Sequence, residues 1–151
     1  MRALIQRVQK ASVQVEGEIV GAIDKGLLIL LGVGPDDEAE DRDWLLQKIL
    51  KLRIFNDEQD LMNLSVEDVQ GSLLVVSQFT LHAKVKKGPR PSYAKAAPPD
   101  MANQLYEEFL AEARTLIGES RVSQGQFGAH MEVELVNDGP VTIWIDTKNK
   151  E

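Results

Sequence analysis

The side chains best suited to chemistry fall in two short runs. Ser77, Gln78 and Thr80, with Phe79 among them, interrupt an apolar stretch, and Asn137-Asp138-Gly139-Pro140 separates two alternating apolar stretches near the chain's end. Hydroxyl and amide groups of the first kind can hold or polarise a carbonyl, and a threonine hydroxyl can attack one when a base lies beside it. No such base is evident near Thr80. Each run also has an ordinary structural explanation. Threonine is a good strand residue, and serine or glutamine can face water at alternate positions. Asp-Gly between two alternating runs is a strong signal for a two-residue hairpin. Pro140 complicates that turn, because proline removes a ladder donor and the bond before it can be cis.

The remaining residue types narrow the chemistry. The chain has no cysteine, which excludes disulfides, thiolate zinc sites and a cysteine nucleophile and fits a reducing compartment. His82 and His130 have no ligand-like spacing, so no metal site is expected, and nothing calls for a cofactor. There is no G-x-S-x-G elbow, phosphate-binding loop or local sign of a Ser-His-Asp triad. Acidic residues are plentiful but mostly fall in surface helices, and no carboxylate pair stands out.

Charge is unevenly placed. The net charge is −7, yet no acidic residue occurs from Val69 to Pro99, where Lys84, Lys86, Lys87, Arg90 and Lys95 contribute +5; Arg2, Arg7 and Lys10 add +3 near the start, leaving −15 for the rest. Such a division can present a basic face to RNA phosphates and keep an acidic back, although loop lysines are also commonly just solvated.

The elements that must position these groups are legible from periodicity. At 151 residues and 43% hydrophobic content, one packed domain over residues 1–151 is expected. Met1 to Arg7 reads as a first strand. Alternation at Ala11, Val13 and Val15, a turn at Gly17, and Ile19, Val20 and Ile23 predict a hairpin, followed by a buried strand from Leu27 to Val33. Asp36 or Asp37 is expected to cap a helix carrying Trp44, Leu45, Ile49, Leu50 and Leu52. Ser72 to Leu81 reads as a central strand. His82 to Pro99, with four prolines and one glycine, predicts a long loop of the kind that is often functional. A second helix carries Met101, Leu105, Phe109, Ala113 and Leu116 or Ile117, stopping at Gly118. Two alternating runs, Met131 to Leu135 and Val141 to Ile145, close the chain. The fold class is α+β, sheet-rich, with two main helices.

Taken together, Ser77-Gln78-Phe79-Thr80-Leu81 and, about sixty residues later, Asn137-Asp138-Gly139-Pro140-Val141-Thr142 resemble the signature pair of the D-aminoacyl-tRNA deacylases. The likeness continues through Met1 to Val8 with Ala11-Ser12-Val13, through Lys87 to Tyr93, and through Gly125 to Met131. Tyr93 stands where the family pattern has phenylalanine. The resemblance implies a homodimer of β-barrel-like sheets with aminoacyl-tRNA as partner. It implies that Ser77, Gln78, Phe79 and Thr80 hold the reacting ester. It also implies that Gly139-Pro140 is a cis peptide entering the other subunit's pocket, where it excludes L-amino acids, with Asn137 as support. Achiral glycyl-tRNA, including alanine tRNA mischarged with glycine, is then exposed to cleavage, and the terminal ribose 2′-OH assists catalysis, with Thr80 as a covalent nucleophile the secondary mechanism.

Within that frame Arg7 is expected to brace the Gly139-Pro140 carbonyls. Lys84, Lys86, Lys87 and Arg90 are expected to receive acceptor-stem phosphates, and Phe127 and Met131 to line an adenosine pocket or simply pack the core. The longest apolar run, Gly26 to Val33, is far below the ~20 residues of a membrane span, and the N-terminus lacks a signal-peptide pattern, so a cytoplasmic, membrane-free protein is expected. A non-catalytic RNA-binding dimer and a small-molecule esterase are the competing readings.

Overall fold

The computed structural model describes all 151 residues. Its strands are β1 (Arg2–Val15), β2 (Glu18–Ile23), β3 (Gly26–Gly32), β4 (Phe55–Asn56), β5 (Met62–Leu64), β6 (Ser72–Ser77), β7 (Val122–Gln124) and β8 (Glu132–Asp146), and its main helices are α1 (Ala39–Lys51) and α2 (Pro99–Ile117). The main sheet runs β2-β1-β3-β6-β7, with β8 also paired to β1. The β3-β6 and β6-β7 pairs are parallel, and β1 is antiparallel to β2, β3 and β8.

The sheet curls until its ends nearly meet. The Ser123 hydroxyl donates to the Ala22 carbonyl at 3.1 Å, joining β7 to β2. Gly21 permits this approach, since a Cβ there would lie 2.3 Å from the Gln124 carbonyl oxygen. Strand alternation then gives the curled sheet two apolar faces. Leu28, Leu74 and Val76 turn inward with Val8, Ala11, Val13 and Ile23. Leu27, Ile29, Leu73 and Val75 face outward and pack with the helices.

Both helices follow the 3.6-residue period. Leu45, Leu46, Ile49 and Leu50 are buried on α1; Leu105, Tyr106, Phe109, Leu110, Ala113 and Ile117 are buried on α2. Full burial of each large apolar side chain contributes about 1.5–3 kcal/mol, which explains why α2 clamps the sheet. Of the two residues at the end of its stripe, Ile117 is buried and Leu116 is exposed. Tyr106 adds a polar hook, its hydroxyl donating to the Val75 carbonyl at 2.9 Å. Burial raises the pKa of that hydroxyl. No helix is long and apolar enough to cross a membrane.

Three local expectations are corrected. The residue preceding α1 is Glu38, whose N–H donates to Asp41 at 2.9 Å. Asp37 is unavailable as a cap because its carboxylate accepts from the Met1 ammonium and the Gly34 amide, both at 2.6 Å. The strand from Ser72 ends at Ser77, and Phe79–His82 forms a 3₁₀ turn.

Asp138-Gly139 is likewise no hairpin. Both flanking runs belong to β8 and pair with β1 alone, Gln6 opposite Thr142 and Val8 opposite Asn137, so Asp138 to Val141 bulge outward opposite Arg7. A tight two-residue hairpin needs positive φ at its first central residue. Here Gly139 has φ 141°, but Asp138 is not in the positive region.

Candidate active site

The parallel strands β3 and β6 end side by side, with Leu31 opposite Ser77 and the Gln78 N–H donating to the Leu31 carbonyl at 2.8 Å. Beyond them the chain leaves the sheet, and a cavity of about 730 Å³ opens between the strand ends, the start of α2 and the segment before β8. Its lining combines Ser77, Gln78 and Phe79 with Tyr106, Phe127 and Met131. A few polar groups at the end of an otherwise apolar cleft suit a small polar group joined to larger apolar or aromatic parts.

The 3₁₀ turn shapes the polar edge. As its first two residues, Phe79 and Thr80 have no carbonyl within the turn to receive their N–H groups, and no side chain caps them. The Gln78 side-chain amide donates to the Thr80 hydroxyl, while Thr80 itself does not line the cavity. No carboxylate, imidazole or amine hydrogen-bonds that hydroxyl. Arg2 fixes the far side of the turn by donating to the Leu81 carbonyl at 2.9 Å while pairing with Asp146 at 3.0 Å.

His82, the last residue of the turn, is buried against Gly32 and Gly34, with no partner for its Nε2. Burial pushes its pKa down, more strongly than the nearby Gly32 carbonyl and Asp37 carboxylate raise it.

The wall of the cavity is aromatic. Phe127 lies 5.9 Å from Tyr106, and the Met131 sulfur crosses Gly125, where a Cβ would come within 2.7 Å of it. At the mouth, exposed Phe79 meets Tyr93 edge-on, ring centroids 5.0 Å apart. Sequence reading did not single out Tyr93 or Tyr106 as site residues. Tyr93 stood out only as a departure from a pattern, and Tyr106 is hidden inside an ordinary helical stripe.

The basic residues Lys84, Lys86, Lys87 and Arg90 do not line the cavity. They are exposed on a loop whose base is closed by two backbone bonds, Lys84 N–H to the Ser92 carbonyl at 2.8 Å and the reverse at 2.9 Å. That closure directly precedes Tyr93, which places the loop beside the cavity mouth.

Arg7, Asn137, Gly139 and Pro140 form a separate cluster. The Gly139-Pro140 peptide is cis and both residues are exposed. A Cβ on Gly139 would lie 2.7 Å from the Val141 nitrogen, so only glycine fits without a backbone shift. Asn137 donates to the Arg7 and Val141 carbonyls at 2.9 and 3.0 Å. Arg7 is 6% exposed, and its Nε donates to the carbonyl of Asp138 at 3.0 Å, one residue before the carbonyls expected from sequence.

The two clusters stand at opposite ends of the paired strands β3 and β6. Arg7 is opposite Leu27, at the end of β3 that pairs with the start of β6, whereas Ser77 is opposite Leu31 at the other end. Within one chain the bulge does not meet the cavity.

Comparison with known proteins identifies the family. The family model described as D-Tyr-tRNA(Tyr) deacylase matches residues 4–146. The D-aminoacyl-tRNA deacylase of Thermosipho africanus is 57% identical over 148 residues, covering 98% of each chain. That of Flavobacterium johnsoniae is 56% identical over the full length of both. Among solved structures, one titled c-Myc DNA Unwinding Element Binding Protein superposes with a TM-score of 0.92 at 41% identity, covering 97% of this chain and 98% of the other. A probable eukaryotic D-amino acid tRNA deacylase shares the fold, with a TM-score of 0.82 at 21% identity over 95% and 97% of the two chains.

The match covers almost the whole chain, both in sequence and in fold. The chain belongs to the D-aminoacyl-tRNA deacylase family, whose members are hydrolases.

Proposed function

We propose that this protein is a cytoplasmic editing hydrolase acting as a homodimer, one deacylase domain per chain, that cleaves D-aminoacyl-tRNA to free D-amino acid and tRNA. The observation that carries this reading is the separation of an exposed, glycine-dependent bulge at Gly139-Pro140 from the cavity at Ser77 to Phe79. Two copies related by a twofold axis can bring each bulge to the other's cavity.

The division of labour is then physical. Ser77, Gln78 and Phe79 hold the aminoacyl ester, and Gly139-Pro140 from the partner crowds the direction in which an L side chain projects. Selection acts by conflict with the wrong enantiomer and needs few contacts to the right one. Side chains of varied D-amino acids are thereby accepted, and glycine, having none, is accepted too, including glycine on alanine tRNA.

Hydrolysis itself requires little machinery. Water adds to the ester carbonyl, the oxyanion is received by the Phe79 and Thr80 N–H groups, and the bond to the terminal ribose oxygen breaks. One donor of this kind elsewhere is worth about 2.7–4 kcal/mol. The ribose 2′-OH of the tRNA assists the proton transfers, because Thr80 has no base beside it. Phe127 and Met131 receive the terminal adenosine, and Lys84, Lys86, Lys87 and Arg90 the phosphates.

Incubation with D-tyrosyl-tRNA, L-tyrosyl-tRNA and a D-tyrosine alkyl ester tests the proposal. Release from the D-tRNA alone is expected. Binding of the D-tRNA without release leaves a non-catalytic RNA-binding protein, and equal cleavage of the simple ester leaves a small-molecule esterase.

A further inference from the structure

Arg7 is gripped from two sides, and only one grip belongs to the bulge. Its Nε donates to the Asp138 carbonyl at 3.0 Å and lies 3.3 Å from the Asp138 carboxylate. Its Nη1 donates to the Ile54 carbonyl at 2.6 Å and to the Asn56 side-chain oxygen at 3.2 Å. The remaining nitrogen, Nη2, is 3.5 Å from where a Cβ on Gly139 would sit. The guanidinium is therefore a rigid plate between the short β4-β5 hairpin and the bulge, and its planar fork fixes one against the other.

Asn56 has a fixed orientation. Its amide nitrogen donates to the Asp60 carboxylate at 2.8 Å, which leaves its oxygen to face Arg7. Asp60 sits at the hairpin tip with φ 63°. The hairpin does not need Asn56 to hold its own shape: Asp57 accepts from the Gln59 and Leu61 amides at 2.9 and 3.0 Å, and the Asp57 N–H donates to the Leu61 carbonyl at 2.8 Å. Asn56 is exposed, so its side chain contributes little packing. What it contributes is an acceptor for Arg7.

We infer that Asn56, oriented by Asp60, is a positioning residue for enantiomer selection: it holds the Arg7 guanidinium that fixes Asp138 and hence the attitude of Gly139-Pro140. This rests on the reading that Gly139-Pro140 is the chiral filter. Asn56 acts through Arg7 and contacts neither the cavity nor the reacting ester of its own chain. Loosening Arg7 thus widens the range of positions the bulge samples without altering the oxyanion donors at Phe79 and Thr80.

The test measures hydrolysis of D-tyrosyl-tRNA and L-tyrosyl-tRNA by the full-length protein and its variants, alongside thermal midpoints. Asn56→Ala is expected to keep the D rate within about twofold and to lower the D/L ratio on the order of tenfold, the scale of one hydrogen bond to a charged group. Combining Asn56→Asp with Asp60→Asn reverses donor and acceptor between the two positions while keeping an oxygen toward Arg7, and is expected to restore the ratio to within about threefold. Should the alanine variant not fold, Asn56→Leu, similar in volume but without an acceptor for Arg7, serves in its place.

Gly139→Ala is the reference. If it lowers the D/L ratio and Asn56→Ala does not, the role of Asn56 is overturned. A fall that the paired exchange leaves unrepaired overturns it as well, because the hydrogen bond is then not the cause. If Gly139→Ala itself leaves the ratio unchanged, the chiral-filter reading fails, an outcome distinct from both.

Discussion

The side-chain amide of Asn137 bridges the Arg7 carbonyl at 2.9 Å and the Val141 carbonyl at 3.0 Å, tying the two ends of the segment that bulges from β8 to the middle of β1. One amide group thus replaces the ladder bonds that the bulge forfeits.

Asn137→Ala leaves both carbonyls without this donor. Loss of a buried or half-buried hydrogen-bond partner costs about 1–3 kcal/mol, and the midpoint of urea unfolding is expected to fall accordingly. Asn137→Asp is expected to be at least as costly, since its carboxylate would face two carbonyl oxygens. Unchanged midpoints in both variants would show that water replaces the amide.

Thr80→Ala is expected to deacylate D-tyrosyl-tRNA within about threefold of the parent in single-turnover assays. The hydroxyl accepts from the Gln78 amide and has no basic neighbour, so its removal deletes one local hydrogen bond worth roughly 0.5–1.5 kcal/mol. A fall on the order of 10³-fold or more would instead assign it the nucleophile's part.

Salt reports on the loop. Lys86 and Lys87 are exposed and make no ion pair within the chain, so they are free to meet phosphate. Changing both to alanine is expected to reduce the slope of log affinity for tRNA against log salt by about 0.7–0.9 for each phosphate that is no longer neutralised. The cleavage rate of fully bound substrate should not change. An unaltered slope would move the RNA-binding surface elsewhere.

Acid should destabilise the protein through His82. Burial depresses its folded pKa below the ordinary 6.5, so between the two values the unfolded chain binds more protons. The stability contributed by neutral His82 is fully present above 6.5, declines as pH falls below it, and is gone below the folded pKa. His82→Phe, which keeps a ring but removes the titration, is expected to lose less stability than the parent on acidification through that window. Parallel losses in the two proteins, followed by thermal unfolding, would remove His82 as the cause.

Much of the architecture was legible from local pattern. The opening three strands, the stripe on each helix and the long loop after His82 follow from periodicity, glycine and proline, because neighbouring residues alone decide which face of a short element is apolar. The two signature runs were also visible in order. The same local rules failed where a distant partner decided the outcome. Asp138-Gly139 looked like a hairpin because alternation stops and restarts there, but the 14-residue β1 is long enough to pair with both flanking runs. A local window contains no information about the length of a strand more than a hundred residues away. The break after Ser77 was missed for a related reason: Phe79 and Leu81 suit a strand, yet the 3₁₀ turn carries them away from the sheet.

By itself, the sequence determined an α+β chain, the two polar runs that set it apart, and the uneven charge that frees one loop of acidic residues. Only the tertiary structure decided that the runs lie apart, towards opposite ends of the β3-β6 pair, that Arg7 holds Asp138 from a base formed by Ile54 and Asn56, and that Tyr93 closes on Phe79 at the cavity mouth. Periodicity is set by nearest neighbours, whereas register, burial of a guanidinium and the meeting of two rings depend on long-range packing, which no short stretch of residues encodes alone.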